Sequence, residues 1–263
     1  MSYLKTEKFS VVAYSEGNYL ERTDTLAVEA LLTVIVNGNP RFYCMRTPGM
    51  DTELAAGLCF NDSLITSGPD IIDIIQESDS VVRMNIPGVV KGGSDEIKII
   101  RSSSGVIAGN SDSTYDKNQD DFIRITADEL FAMQNDFFTH QKIYSETGAT
   151  HAAGIYNAER KLLVYAEDVG RHNALDKCIG SLLLSGEMDG AVFGLLSSRL
   201  SYEMVLKAAR AGLQVVAGVS APTAFAVKLA RSRGITLAGY LRSGRFNVYS
   251  GEWRFNMENT SAV

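Results

Sequence analysis

The sequence predicts an α/β protein of two lobes, a smaller strand-rich one over residues 1–120 and a larger one over residues 121–263. Three observations predict it. Beyond residue 150, short apolar runs alternate with segments of helical period, the pattern of strands joined by crossover helices in a substantially parallel sheet. Before residue 101 the apolar runs are short and follow one another with a single helix among them. Between the two patterns lie residues 101–121, rich in Ser, Gly, Asn and Asp, which read as a long loop or interlobe connection.

In order along the chain, residues 26–36 and 40–45 read as strands around the turn Asn37-Gly38-Asn39. Pro48-Gly49 ends the second strand, and residues 51–60 read as a helix with Thr47 or Asp51 near its start. Residues 71–75, 81–86 and 97–100 are further short strands. Residues 126–135 form a helix, with Thr126 and Glu129 at capping-box spacing. Residues 152–157 and 161–166 flank Ala158-Glu159-Arg160 as a hairpin. The helix that follows carries Leu175, Cys178, Ile179 and Leu182 on one stripe and stops at Gly186. Strand 191–196, helix 202–211, strand 215–219, helix 222–233 and strand 235–240 complete the alternation.

Composition narrows the function. Apolar residues make up 45% and charged residues 21%, ordinary for a soluble globular protein, and the net charge of −6 argues against general nucleic-acid binding. No apolar run reaches membrane-spanning length and residues 1–10 lack the plan of a signal peptide, so a cytoplasmic protein is expected. Three widely separated cysteines (Cys44, Cys59, Cys178) suit a reducing compartment, and Cys59 and Cys178 read as packing residues. With three His, three Cys and no Cys-x-x-Cys or His-x-x-x-His spacing, no metal site is expected.

The densest chemistry is the run Glu167-Asp168-Val169-Gly170-Arg171-His172-Asn173-Ala174-Leu175-Asp176-Lys177, far more than a strand-to-helix turn requires. Ligands of α/β sheets bind where strands end, so the residues after each strand of the larger lobe are informative. They are Arg171 and His172; then Ser197, Ser198, Arg199 and Ser201; then Ser220, Pro222 and Thr223; then Arg242, Ser243, Gly244, Arg245 and Asn247. Four arginines and several hydroxyls on one edge of an acidic protein suit an anionic ligand held by helix N-termini and guanidinium forks. A plainer reading stands beside this one. Ser198, Ser201, Ser220 and Thr223 serve as helix caps, and Arg171 pairs with Glu167 or Asp168. His172, inside the dense run, is expected to touch ligand or handle protons. His151 divides evenly between a structural role and a site role, and His140 reads as structural. Residues 47–54 (Thr-Pro-Gly-Met-Asp-Thr-Glu-Leu) are a second dense spot, explained by a turn, a cap and an acidic first helical turn.

Taken together, residues 47–54, 147–153, 167–177, 197–207, 220–230 and 239–249 resemble the formate dehydrogenase accessory protein family, the FdhD-type sulfurtransferases, in family order over nearly the whole chain. The resemblance implies a cytoplasmic homodimer whose larger lobe is cytidine-deaminase-like with a mixed sheet. It implies sulfur transfer from a cysteine desulfurase to the bis-molybdopterin guanine dinucleotide of formate dehydrogenase, that cofactor being bound as cargo. The family's cofactor segment matches Tyr240, Leu241, Arg242, Ser243, Gly244 and Arg245; Arg171, His172, Arg199, Ser220 and Thr223 are added from the strand-end argument. The zinc-holding His-x-Glu and Pro-Cys-x-x-Cys of the deaminases are missing, since Ala152-Ala153 follow His151, and no zinc is expected.

One departure bears on the mechanism. Where the family carries Cys-Gly-x-Cys, this chain reads Ser104-Gly105-Val106-Ile107. Serine and isoleucine form no persulfide, so sulfur relay cannot operate at this loop. Three readings stay open. The chain handles cofactor without relaying sulfur, relays it through another cysteine, or is a paralogue that takes another phosphate-bearing ligand. That paralogue could be a non-zinc enzyme using His172 with Glu167 or Asp168.

Overall fold

The structure, a computed structural model, describes residues 4–87, 98–100 and 123–255. The chain begins with a two-stranded antiparallel ribbon, β1 (Thr6–Ser15) and β2 (Asn18–Ala27). Sequence reading missed it because its side chains lie mostly exposed, without the alternation that one buried face imposes. The expected 26–36 run is therefore divided, and β3 begins only at Ala30 (Ala30–Val36).

β3 pairs with β4 (Asn39–Arg46) across Asn37 and Gly38, both at positive φ (51° and 85°), the backbone of a tight hairpin turn. Then follow α1 (Asp51–Asn61), β5 (Asp73–Ser78), β6 (Val81–Asn85) and β7 (Lys98–Ile100), giving a five-stranded sheet in the order β5-β6-β3-β4-β7. β5 starts two residues later than expected because a 3-10 turn (Gly68–Asp70) occupies the approach. Neither Thr47 nor Asp51 caps α1. Met50 holds the cap position at φ 56°, while both expected caps are engaged elsewhere.

α2 (Ala127–Thr139) carries the capping box at Thr126 and Glu129 in both directions. The short α3 (Lys142–Thr147), not anticipated, leads to β8 (His151–Tyr156) and β9 (Leu162–Asp168). α4 (Arg171–Ser185) ends at Gly186 with φ 74°. β10 (Phe193–Leu196), α5 (Tyr202–Arg210), β11 (Val215–Gly218), α6 (Ala224–Ser232), β12 (Thr236–Arg242) and β13 (Arg245–Ser250) complete the larger sheet. Its order is β13-β12-β11-β10-β8-β9. It is mixed rather than substantially parallel: β10–β11 and β11–β12 are parallel, whereas β8 and β13 run antiparallel to their neighbours.

Alternation along these strands separates two cores. Ala153, Ile155, Val216 and Leu237 face α4, α5 and α6, while Ala152, Phe193, Leu195, Ala217 and Ala238 face α2. The first core continues through α1 into β3, β4 and β6 of the other sheet. α1 and α4 are the hinge of that continuity, for they meet backbone to backbone. A Cβ on Gly57 would strike the carbonyl of Asp176, and one on Gly180 the carbonyl of Glu53. Among the described residues no helix is long and apolar enough to cross a membrane.

Candidate functional site

β8 is antiparallel to both β9 and β10, so β9 points the same way as β10, β11 and β12. All four strand ends named from the sequence therefore open on one edge of the larger sheet. β9 and β12 are four places apart in it, about 19 Å at the usual spacing of ~4.8 Å between strands. The edge thus has two ends rather than one centre.

At the β9 end, residues 167–177 split by direction. The Glu167 carboxylate accepts the N–H groups of Ile143 (2.9 Å) and Tyr144 (2.8 Å) and the hydroxyl of Thr150 (3.0 Å), closing the start of α3. Asp168 is 0% exposed and accepts from the N–H of Thr47 (3.1 Å), the N–H of Gly170 (2.8 Å) and Asn173 Nδ2 (2.9 Å). It also pairs with Lys177 Nζ at 2.7 Å, and that ammonium donates to the Thr47 carbonyl at 2.7 Å. Asn173 donates to the Met45 carbonyl (2.8 Å), and the Thr47 hydroxyl accepts from the N–H of Val169 (3.1 Å). One helical turn further, Asp176 pairs with Lys207 (2.6 Å) and accepts from Asn61 (2.7 Å). Asp51 is likewise buried, held by Arg46 through Nε (2.9 Å) and Nη2 (2.7 Å). The two dense spots of the sequence are thus one interlocked network of buried, paired charges. Of the two acids offered as partners for Arg171, Asp168 belongs to this network and Glu167 is held by the start of α3 and Thr150.

Arg171 and His172 begin α4, whose cap residue Gly170 supplies no side-chain cap. Arg171 and the exposed Arg199 are close enough to depress each other's neighbours: the His151 pKa is lowered by burial first, then by Arg171 and Arg199. His151, evenly divided on sequence grounds, therefore sits with the arginines. His172 does not reach the ligand edge as expected. It is 2% exposed, and burial, then Lys207, Arg171 and His151, push its pKa down to about 3. Its Nε2 lies 3.3 Å from Glu203 Oε2 without hydrogen-bond alignment, and Nδ1 has no partner. A neutral, buried imidazole is not a proton carrier near pH 7, and its acidic neighbour is Glu203 rather than Glu167 or Asp168.

The remaining hydroxyls sort between caps and site. Thr223 caps α6, accepting from the N–H of Ala226 at 3.3 Å. Ser198 donates to the Arg199 carbonyl at 3.2 Å, and Ser197 accepts from the N–H of Ala152 at 2.8 Å. Ser201 occupies the cap position of α5 without a capping bond, its hydroxyl buried and unpartnered. The Ser220 carbonyl accepts from the N–H of Tyr240 at 3.1 Å, which ties the β11 loop to β12.

At the other end, β12 runs past β11. Its last ladder partner is Ala238, so Arg242 lies four residues on, roughly 13 Å at ~3.3 Å per residue. Tyr240, at φ 54°, sits in the irregularity between Gly239 and Arg242. Arg242 and Arg245 stand opposite each other across Ser243 and Gly244 (φ 78°), and all four are exposed. Like charges facing each other across a ladder repel, a cost that an anion would remove. Leu241 is the exception in this segment. Its side chain is buried in the α2-facing core and its carbonyl accepts from Gln134 at 2.7 Å, so it packs and does not face a ligand.

Cys44, Cys59 and Cys178 are all buried. Burial pushes the Cys44 thiol up to about 12 and raises those of Cys59 and Cys178 as well. Ser104 and Ile107 lie outside the described residues. Among the described residues, no three His, Cys, Asp or Glu side chains group as a metal site.

A family model described as the FdhD/NarQ family matches residues 27–256. The sulfur carrier protein FdhD of Streptomyces avermitilis is 34% identical over 276 residues, covering 98% of this chain and 98% of the relative. Its counterpart in Saccharolobus solfataricus is 31% identical over 251 residues, covering 94% and 97%. In fold, a Desulfotalea psychrophila protein assigned as a formate dehydrogenase accessory protein superposes with a TM-score of 0.78 at 23% identity, covering 96% of this chain and 100% of that one.

Proposed function

The chain belongs to the FdhD/NarQ family, and from that premise we propose that it is a formate dehydrogenase maturation factor holding bis-molybdopterin guanine dinucleotide as cargo, without relaying sulfur through a cysteine of its own. The observation that carries this is one edge with an arginine grip at each end, in a molecule whose every thiol is buried. Two grips set apart along the edge, one beside β9 and β10 and one beyond β12, suit an elongated ligand with phosphates toward both ends. Tyr240, Arg242, Ser243, Gly244 and Arg245 serve one end, and Arg171 and Arg199 the other, with Ser220 on the loop between. Cargo of this kind needs binding and shielding from the protein rather than acid–base chemistry.

The relatives are named sulfur carriers, and a carrier that relays sulfur as a persulfide must present a thiolate. With Ser104 and Ile107 at the family's cysteine positions, a cysteine desulfurase finds no acceptor thiol on that loop. Sulfuration therefore falls to another protein, and this one, a cytoplasmic homodimer, retains the holding step. Calorimetric titration with GDP, a fragment of the cofactor, tests the reading. Wild type should bind, and the Arg242→Ala/Arg245→Ala variant should not. No binding by either would remove the cofactor reading and favour a paralogue serving another phosphate-bearing ligand.

A further inference from the structure

The edge carries an aromatic feature that anion grips leave unexplained. Phe225, the second residue of α6, is 61% exposed, yet its ring lies on that of Tyr202 with centroids 4.3 Å apart and planes within 15°. Tyr202 is the first residue of α5. The two helix starts are laced together by the bridge between Leu200 and Pro222. The N–H of Leu200 donates to Ala221 (3.1 Å), and that of Thr223 donates to Leu200 (3.0 Å). One face of the Phe225 ring is therefore covered and braced, and its exposure leaves the opposite face in water.

A single exposed phenylalanine calls for no explanation. This one differs in two ways. Its ring is held in plane by a second aromatic, whereas the other exposed pair among the described residues, Tyr14 and Tyr19, is tilted at 55°. It also stands between the two arginine grips. Arg199 lies three residues before Tyr202 in the loop that leads into α5, and the bond from Tyr240 to Ser220 brings the Arg242–Arg245 hairpin alongside the loop that leads to Phe225.

We propose that Phe225, backed by Tyr202, is the stacking platform for the base of a guanine nucleotide whose phosphates the edge arginines hold. The proposal rests on the cofactor reading above and adds to it the residue that recognises the flat, apolar-faced part of the ligand. A braced ring loses little freedom when a base settles on it, and base–aromatic stacking of this kind changes affinity by about tenfold or more.

The test titrates the full chain with GDP and separately with pyrophosphate, in wild type, Phe225→Leu and Phe225→Trp. GDP affinity should fall about tenfold in Phe225→Leu and be retained in Phe225→Trp, with pyrophosphate binding alike in all three. If Phe225→Leu binds GDP as wild type does, the platform is wrong while the cofactor reading stands. A loss of GDP and pyrophosphate together in Phe225→Leu would also overturn stacking, since the ring would then be supporting the anion grip. If wild type itself does not bind GDP, the cofactor reading fails and takes the platform with it.

Discussion

Within residues 167–177, Asp168, Asn173, Asp176 and Lys177 turn inward and are buried, whereas Arg171 opens toward the sheet edge, beside the exposed Arg199. The inward set is bonded to Thr47, Met45, Asn61 and Lys207, drawn from α5 and from chain more than a hundred residues upstream. Of the outward set, Arg199 is exposed, while Arg171 is half-buried and has both a cation, Arg199, and an acid, Glu203, as neighbours. A dense polar motif therefore does two jobs here. Its inner half fastens the N-terminal sheet to the larger one, and its outer half, held still by that fastening, offers positive charge to a ligand. Density of chemistry marks the place but does not say which half touches the ligand.

Removing an inner charge is the sharpest way to break that contrast. Lys177→Met strands Asp168 in the core and should cost about 3–5 kcal/mol in denaturant unfolding. A cost below about 1 kcal/mol would mean the network is not a fastening. His172, at the boundary between the halves, gives the next largest effect. Its folded pKa of about 3 lies below the ordinary imidazole value of 6.5, so the unfolded chain takes up a proton first as pH falls. Its contribution is thus full above pH 6.5 and is lost progressively toward pH 3. Wild type should lose about 2 kcal/mol between pH 6.5 and 5 from this group, and His172→Gln should show a shallower slope there. Equal slopes would place the imidazole in water.

The outer half should respond in the opposite sense. Arg171→Ala/Arg199→Ala should change stability by no more than about 1 kcal/mol while weakening pyrophosphate binding about tenfold. A large loss of stability would move these arginines into the inner class. The smallest expected effect is none at all. Alkylation of the native protein should modify none of its three cysteines and leave GDP binding intact, since burial raises all three thiols. Mass spectrometry after denaturation should then find all three reactive.

The strand–helix alternation was legible because strands and helices of the larger lobe bury one face and so carry a period. The common edge followed from the rule about strand ends, and it survives although the sheet is mixed, because β8 reverses direction twice over. What escaped was set by distance along the chain. Nothing local to Asp168 announces Thr47, and nothing local to Asp176 announces Lys207. Lys207 did carry a signal: it stands among Met204, Val205 and Ala208 on the buried side of α5, where a solvated lysine has no place. The ribbon β1–β2 and the Tyr202–Phe225 pair were hidden for the opposite reason, because exposed residues obey no burial pattern.

The contact between α1 and α4 has a genetic corollary. Every missense change at codon 57 or 180 adds a Cβ, and at both positions the obstruction is a backbone carbonyl. No suppressor elsewhere can trim it away, since all twenty residues carry the same carbonyl. In a saturation library these two sites should read as blanks, beside Gly17, Gly38 and Gly148, where the space is open and only the backbone angle objects.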